Sequence, residues 1–413
     1  MHSRRGSGNA LRAYRVSTQT AGLRRICGRR ASRCQNRPDK RSGAQRADAR
    51  SPRYRYGQTP DKSRRVPTRV ESRRRPDRTR DDRVTARKRR VALVTSNGWG
   101  LGHLSRQLAV ALALVPGSEV TVFSMSRGLS LIGSFGIRGE YCPGVDSPWI
   151  VGAEWDSYVR DRFIAYLEET SPDVVLFDGV APYLGILRAL RWHPEVKAGW
   201  LRRGMWQSGP NDGQLRKEAW FDFIIEPGDL AAEADKGPTA GLDAIRIPAI
   251  SLLDVLEPYS RADACARLGL DPDKRALLIT LGSGQPGESS NAAVSAVATA
   301  LEATEWQVAV ARSPIAPSDT GSPREGTIEL PGVFPLAQYL AAFDAAIGAA
   351  GYNSVHEWLR SGVPSLLVPK SASKTDDQVA RARFLSHRGL VLVADDDSPN
   401  DVISQTRRLL TDD

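Results

Sequence analysis

The chain is predicted to be an α/β protein: two facing, doubly wound parallel-sheet domains with a cleft between them, preceded by a disordered basic tail. Three observations predict this. From residue 89 onward, short β-rich apolar runs alternate with amphipathic helical stretches. The alternation breaks near Ile247–Tyr259, where Pro248 and Pro258 bracket an apolar connector, and then restarts. Charge is also uneven, with 30 Lys+Arg against 7 Asp+Glu in the first 90 of 413 residues and 28 against 40 in the rest. The expected divisions are a tail over 1–88, a first domain over 89–250 and a second over 251–413, each domain within the usual size range.

Each element has its own signal. Val91–Ser96 is short and apolar, as suits a strand buried on both faces. The glycine-bearing loop Asn97–Gly102 follows, and His103–Val115 reads as an amphipathic helix. Glu119–Met125 is a second strand, Trp155–Glu169 a helix, and Asp173–Phe177 a strand that runs into Asp178. Leu184–Trp192 is helical, and Val196–Leu201 and Phe221–Ile225 are strand candidates. In the second half Ala276–Leu281 is a strand, Gly282–Gly287 a glycine-rich loop and Ala292–Glu302 a helix. Trp306–Ala311, Ala342–Gly348, Ser365–Val368 and Leu390–Val393 complete the strand set. No fixed-period repeat is present.

The formal charge of +11 suggests a nucleic-acid binder, but the folded part carries a net −12 and the tail +23. Nucleic acid is therefore not an expected partner of the folded part. The tail is rich in Arg, Ser, Pro and Gly and cannot bury enough apolar surface to offset its ordering entropy. Three accounts of it stay open: a basic arm for anionic lipid or nucleic acid, a targeting segment, or an upstream-extended start. Cys27, Cys34, Cys142 and Cys265 have no metal-ligand spacing, which fits a reduced, cytoplasmic chain. No apolar run approaches the roughly 20 residues that cross a bilayer, so membrane contact is expected to be peripheral.

In the first domain the loop S-N-G-W-G-L-G-H-L-S-R spans Ser96 to Arg106. Gly100 and Gly102 allow a sharp turn and close backbone approach to a ligand. His103 falls at a helix N-terminus, whose positive end favours a neutral imidazole able to act as a general base. A dinucleotide fingerprint shares the strand–glycine–helix order, but the third glycine is misplaced and no acid closes the second strand. The competing reading is a helix-capping histidine. Asp178 either holds the second imidazole nitrogen or caps the helix that follows. Arg202 and Arg203, just past a strand, either meet an anionic substrate at the cleft edge or are simply solvated.

In the second domain a small-residue turn carries Gly351, Asn353 and Ser354, and Glu357 lies one helical turn on. Strand, glycine turn and helix in that order aim N–H groups at an anion, and a carboxylate just inside the helix suits the vicinal hydroxyls of a ribose. Ser283 and Gly284 follow the strand A-L-L-I-T-L and either take a phosphate or form an ordinary turn. His356 is expected on the surface. Asp376 and Asp377 point apart on a helix, so no metal site is expected.

The second half resembles the nucleotide-sugar domain of GT-B glycosyltransferases, which pair two facing Rossmann-like domains. It is most similar to family 28, the MurG-like N-acetylglucosaminyltransferases and diacylglycerol glycosyltransferases. The likeness rests on G-x-N-S-x-x-E-x-x-x-x-G-V-P from Gly351 to Pro364 and on the spacing from Pro369 to Gln378. G-x-G-H at Gly100–His103 resembles the family's glycine-rich acceptor loop.

The resemblance implies a metal-independent, inverting transfer of a hexose or N-acetylhexosamine from a UDP-sugar to an acceptor hydroxyl on a lipid, glycan or small molecule. No cofactor is implied beyond the UDP-sugar as donor substrate. Glu357 would bind the ribose, and Gly351, Asn353 and Ser354 the diphosphate. Asp377 and Gln378 would reach the sugar, and His103 would be the base. Two departures stand out: Ala349 replaces the histidine of the plant-type motif, and Arg381 occupies the place of the family's asparagine.

A nucleotide-sugar epimerase or hydrolase of the same architecture, and a non-catalytic binding protein tethered by the basic arm, are the competing functions. Trp149, Trp155 and Trp206 are candidates either to face the acceptor or to pack the core.

Overall fold

The computed structural model describes residues 87–411 except 97–99, 148–149, 281–289, 302–303, 316–324, 372 and 396–397. The expectations for the basic tail, Ser283, Gly284 and Trp149 lie outside the described residues.

The first half forms β1 (Arg89–Thr95), α1 (Gly102–Leu114), β2 (Ser118–Ser124), β3 (Arg138–Tyr141), α2 (Gly152–Thr170), β4 (Val174–Asp178), α3 (Leu184–Arg191), β5 (Lys197–Leu201), β6 (Phe223–Pro227) and β7 (Ile245–Ile247). All seven strands pair in parallel, in the order β3-β2-β1-β4-β5-β6-β7. Ala92, Leu93 and Val94 of β1 are fully buried, as a strand covered on both faces requires. On one face α2 and α3 pack Trp155, Val159, Phe163 and Ile186 against Phe123 and Phe177. On the other, α1 contributes Leu104 and Leu108.

The second half forms α4 (Arg261–Leu268), β8 (Ala276–Thr280), α5 (Ser290–Leu301), β9 (Gln307–Ala311), β10 (Thr327–Leu330), β11 (Ala345–Gly348), α6 (Tyr352–Ser361), β12 (Ser365–Leu367), α7 (Gln378–His387), β13 (Leu392–Val393) and α8 (Pro399–Thr411). Its six strands are again all parallel, in the order β10-β9-β8-β11-β12-β13. Helix α4 starts at Ser260, whose side chain accepts from the Asp263 amide, and ends at Gly269 with φ +71°. The C-terminal α8 packs Val402 and Leu409 into the second core beside Leu277 and Ile347.

In each sheet the strand order reverses once, between β1 and β4 and between β8 and β11. Ligands of open parallel sheets bind at the carboxyl ends of the strands beside such a reversal. There the register sets Thr95 against Asp178 in the first sheet and Thr280 against Gly348 in the second. The loop before His103 and the turn at Gly351 leave these same edges. The edge strands β3, β7 and β10 and the helices α4 and α8 were not among the sequence expectations. Three or four edge residues carry too little apolar periodicity to be read.

Candidate active site

Helix α1 opens directly after the β1 loop, so His103 is its second residue and Arg106 lies three further on, on the same face. Asp178 ends the adjacent strand. The three side chains meet: His103 Nδ1 is 2.9 Å from Asp178 Oδ1, and Arg106 Nη2 donates to the same oxygen at 2.6 Å. Arg106 Nη2 also stands 2.9 Å from His103 Nδ1.

Asp178 Oδ1 can only accept and Arg106 Nη2 can only donate, so the two neighbours of Nδ1 favour opposite tautomers. We assign the proton to Nδ1, donated to Asp178, which leaves the lone pair on Nε2. Asp178 and Arg106 are 1% and 2% exposed, whereas His103 is 21% exposed, so the imidazole is the member within a substrate's reach. Burial lowers the His103 pKa; Asp178 opposes that shift, and Arg106 and Arg203 reinforce it. Burial works against ionisation of Asp178, but Arg106 and then His103 outweigh it and hold the carboxyl below its usual value. The histidine is neutral and the aspartate charged near pH 7. The N-cap position of α3 is Tyr183, whose side chain makes no capping bond, so Asp178 does not cap that helix.

In the second half, Gly348 closes β11 where a Cβ would overlap the Thr280 hydroxyl and the Trp358 ring, so glycine lets α6 press onto the sheet. Gly351 precedes the first turn of α6. Asn353 Nδ2 donates to the Gly102 carbonyl at 3.1 Å, which brings the two glycine turns together. Ser354 lies part-buried one residue on. The Glu357 side chain has no hydrogen bond or ion pair among the described residues, and burial pushes its carboxyl up to about 8. Asp377 caps α7, its Oδ1 accepting from the Ala380 amide at 2.9 Å. Gln378 Oε1 accepts from the Lys370 amide at 3.1 Å. His356, expected at the surface, is buried: Nδ1 donates to the Tyr352 carbonyl at 2.6 Å and Nε2 accepts from the Leu230 amide at 3.2 Å.

A second ionic group joins the halves. Arg381 is fully buried and donates to Asp229 at 2.9 Å, to Asp376 at 2.8 Å and to the Ala350 carbonyl at 2.8 Å. Arg203 reaches Asp376 from the first half at 3.3 Å. Arg381 and then Arg203 overcome burial to hold the Asp376 carboxyl at about 2. Tyr352 lies beneath two guanidinium groups, with Arg106 and Arg203 each 5.4 Å from its ring centroid. Its hydroxyl donates to the Gly228 carbonyl and accepts from the Ile250 amide, both at 3.0 Å. Beside it the main chains pair: Trp206 bridges Asp376 antiparallel, Gln207 N donates to Thr375 O and Asp377 N to Met205 O, both at 2.8 Å. Met205 holds a φ of +58° to make that turn.

Sequence and structure part company at several residues. Arg202, weighed with Arg203 as a cleft-edge cation, is fully buried against Glu218 and Glu226, so it faces no ligand. Trp155 and Trp206 pack in the first core. Gly100 and Gly102 sit at the loop edge, Gly102 contacting Asn353. Arg106 and Asp229 are the polar residues the sequence reading missed, and Arg381 was noted only as a departure from the family's asparagine, without a role. The i+3 spacing from His103 was the only available signal for Arg106, and nothing local marks Asp229. Among the described residues no group of three or more His, Cys, Asp or Glu side chains could hold a metal ion.

The comparisons with known proteins bear on the family and the fold. Residues 277–413 match the model of the glycosyltransferase family 28 C-terminal domain. The chain is 36% identical to a UDP-N-acetylglucosamine–N-acetylmuramyl-(pentapeptide) pyrophosphoryl-undecaprenol N-acetylglucosamine transferase of Nocardioides sp., over 76% of this chain and 87% of that one. It is 27% identical to the protein of the same name from Mycobacterium ulcerans, over 78% and 84%. Among solved structures it is similar to the spinosyn forosaminyltransferase SpnP, with a TM-score of 0.57, 16% identity and 78% and 90% coverage. It is also similar to Acinetobacter baumannii MurG, with a TM-score of 0.50, 18% identity and 78% and 91% coverage. At those identities the structural likeness establishes the fold.

Proposed function

Because this chain belongs to glycosyltransferase family 28, we propose that it moves N-acetylglucosamine from UDP-N-acetylglucosamine to a hydroxyl of a lipid-pyrophosphate-linked sugar. Glycosyl transfer from a UDP-sugar, with inversion, is the family's chemistry. The finer choice of sugar and acceptor is supported by the names of the relatives, whose acceptors are undecaprenol-linked. The single observation that carries a catalytic role is the His103–Asp178 pair at the strand-order reversal, one Asn353–Gly102 contact away from the donor turn.

In this reading the second domain holds the donor. Glu357 accepts from the ribose hydroxyls, the α6 N-terminus with Gly351, Asn353 and Ser354 meets the diphosphate, and Asp377 and Gln378 lie toward the sugar. The first domain presents the acceptor between Gly100, Gly102 and Arg203. His103 Nε2 takes the acceptor proton as its oxygen attacks the anomeric carbon from the face opposite UDP. The carbon–oxygen bond to the β-phosphate breaks, and its electron pair leaves on UDP, where the helix dipole and amide donors stabilise it. Asp178 supports the imidazolium that forms. A lipid-linked acceptor places the reaction at a membrane surface, which we assign to the cytoplasmic face, with the protein bound peripherally. No helix among the described residues is long and apolar enough to cross a bilayer.

The test is transfer of radiolabel from UDP-N-acetylglucosamine to a polyprenyl-pyrophosphate-linked muramyl peptide, with an arm lacking acceptor. His103→Ala should lower turnover by about 10²–10⁴-fold while UDP binding persists. Wild-type turnover in His103→Ala would remove the base, and UDP release without acceptor at the full rate would replace transfer by hydrolysis.

A further inference from the structure

We propose that Arg106 is a positioning residue that keeps His103 neutral and its outer nitrogen unprotonated until the acceptor proton arrives. The inference rests on the proposed role of His103 as base. Its geometry stands apart from that role.

Asp178 Oδ1 receives two donors, His103 Nδ1–H and Arg106 Nη2, and the arginine is the nearer, at 2.6 Å against 2.9 Å. A guanidinium cannot lose its proton in a protein and has no acceptor, so the aspartate's charge is matched whether or not the histidine is charged. In a His–Asp pair without such a partner, the carboxylate is free to stabilise an imidazolium and raises the imidazole pKa. Here that stabilisation is shared in advance. A fixed positive charge also stands 2.9 Å from Nδ1, so protonation at Nε2 would set two cations side by side. Asp178 Oδ2 is buried with no hydrogen-bond partner among the described residues, so the histidine, like the arginine, bonds to Oδ1.

The groups facing the imidazole are few. Asp178 comes from β4, Arg106 from α1 itself, and Arg203 from the segment after β5. From the second half Tyr352 lies under both arginines, and Asp376 partners Arg203. Burial is the main reason the His103 pKa is lowered; Asp178 opposes it, and Arg106 and then Arg203 add to the lowering. The flat Arg106 group also stacks on Tyr352, the first residue of the donor helix, so the arginine fixes the pair relative to the donor turn.

The experiment is an NMR titration of the full-length protein. The ring Cε1–H signal of His103, one of five histidines, is assigned by its loss in His103→Gln. The pH profile of kcat/KM is recorded in parallel. The wild-type midpoint is expected below the ordinary value of 6.5. Arg106→Met should raise it by about one unit or more, with the acid limb of the rate profile moving equally. Arg106→Lys, which keeps the charge, should return both toward wild type. Coincident midpoints in wild type and Arg106→Met overturn the proposal. Should Arg106→Met fail to fold, a wild-type midpoint above 6.5 or an unmoved Arg106→Lys rate profile with a raised midpoint does the same. Full activity of His103→Ala would defeat the base assignment instead, and leaves the titration result standing.

Discussion

Two ionic groups lie where the two halves meet, and both are built from buried arginine and aspartate. At the end of β4, Asp178 and Arg106 enclose a histidine whose outer nitrogen has no hydrogen bond among the described residues. Some residues away, Asp229, Arg381, Asp376 and Arg203 tie the two halves together with fixed charges alone. The first group contains an imidazole that can gain or lose a proton and is partly exposed; the second consists of two arginines and two aspartates and is electrically balanced. Burial with pairing produces a joint when all the charges are permanent, and produces chemistry when one is not.

The sharpest way to break the joint is Arg381→Met. It strands Asp229 and Asp376, 6% and 15% exposed, with only Arg203 left to serve the latter. Loss of one partner from such a buried set costs about 3–5 kcal/mol, to be read from urea unfolding. The linkage has a definite sign. The Asp376 carboxyl is held at about 2, so its contribution is complete above its usual 3.8 and is lost as pH falls through 2. That acid sensitivity should weaken in Arg381→Met.

Breaking the other group should act on rate. Asp178→Asn keeps the shape but can turn the histidine to the wrong tautomer, so turnover should fall by at least about 10²-fold with UDP affinity retained. The smallest effect concerns Glu357, whose carboxyl burial lifts to about 8. It enters donor binding protonated and accepts ribose hydroxyls better when ionised. UDP binding should therefore release a proton near pH 7 and tighten by up to about tenfold per pH unit toward 8. Calorimetry in buffers of different ionisation heat measures the proton, and Glu357→Gln should abolish it. For folding the sign is opposite to that of Asp376: the Glu357 contribution is whole below its ordinary 4.5 and disappears as pH rises through 8.

Much of this was legible in the residues because it is local. Alternating apolar runs marked the central strands, and strand–glycine–helix order marked both turns, since those patterns live within a dozen positions. His103, at a helix start, and Asp178, at a strand end, could each be suspected, and their pairing was one of two readings of Asp178. Choosing between them needed the structure, because 75 residues separate them and only the sheet order makes them neighbours. Asp229 and Arg381 are 152 apart and lie in different halves, so no local pattern carries their pairing. Arg202 and Arg203 show the opposite limit. Adjacent and chemically identical, they diverge just past the end of β5: one enters the ionic interior of its own half, the other crosses to Asp376.

The bridge between Trp206 and Asp376 is made of peptide groups. Substituting almost any side chain beside this bridge leaves peptide N–H and C=O in place, so the segment after β5 and the one before α7 stay aligned while their side chains change. A scaffold hemmed this way can change the sugar it accepts or the alcohol it modifies one residue at a time without losing the alignment of the two reacting partners.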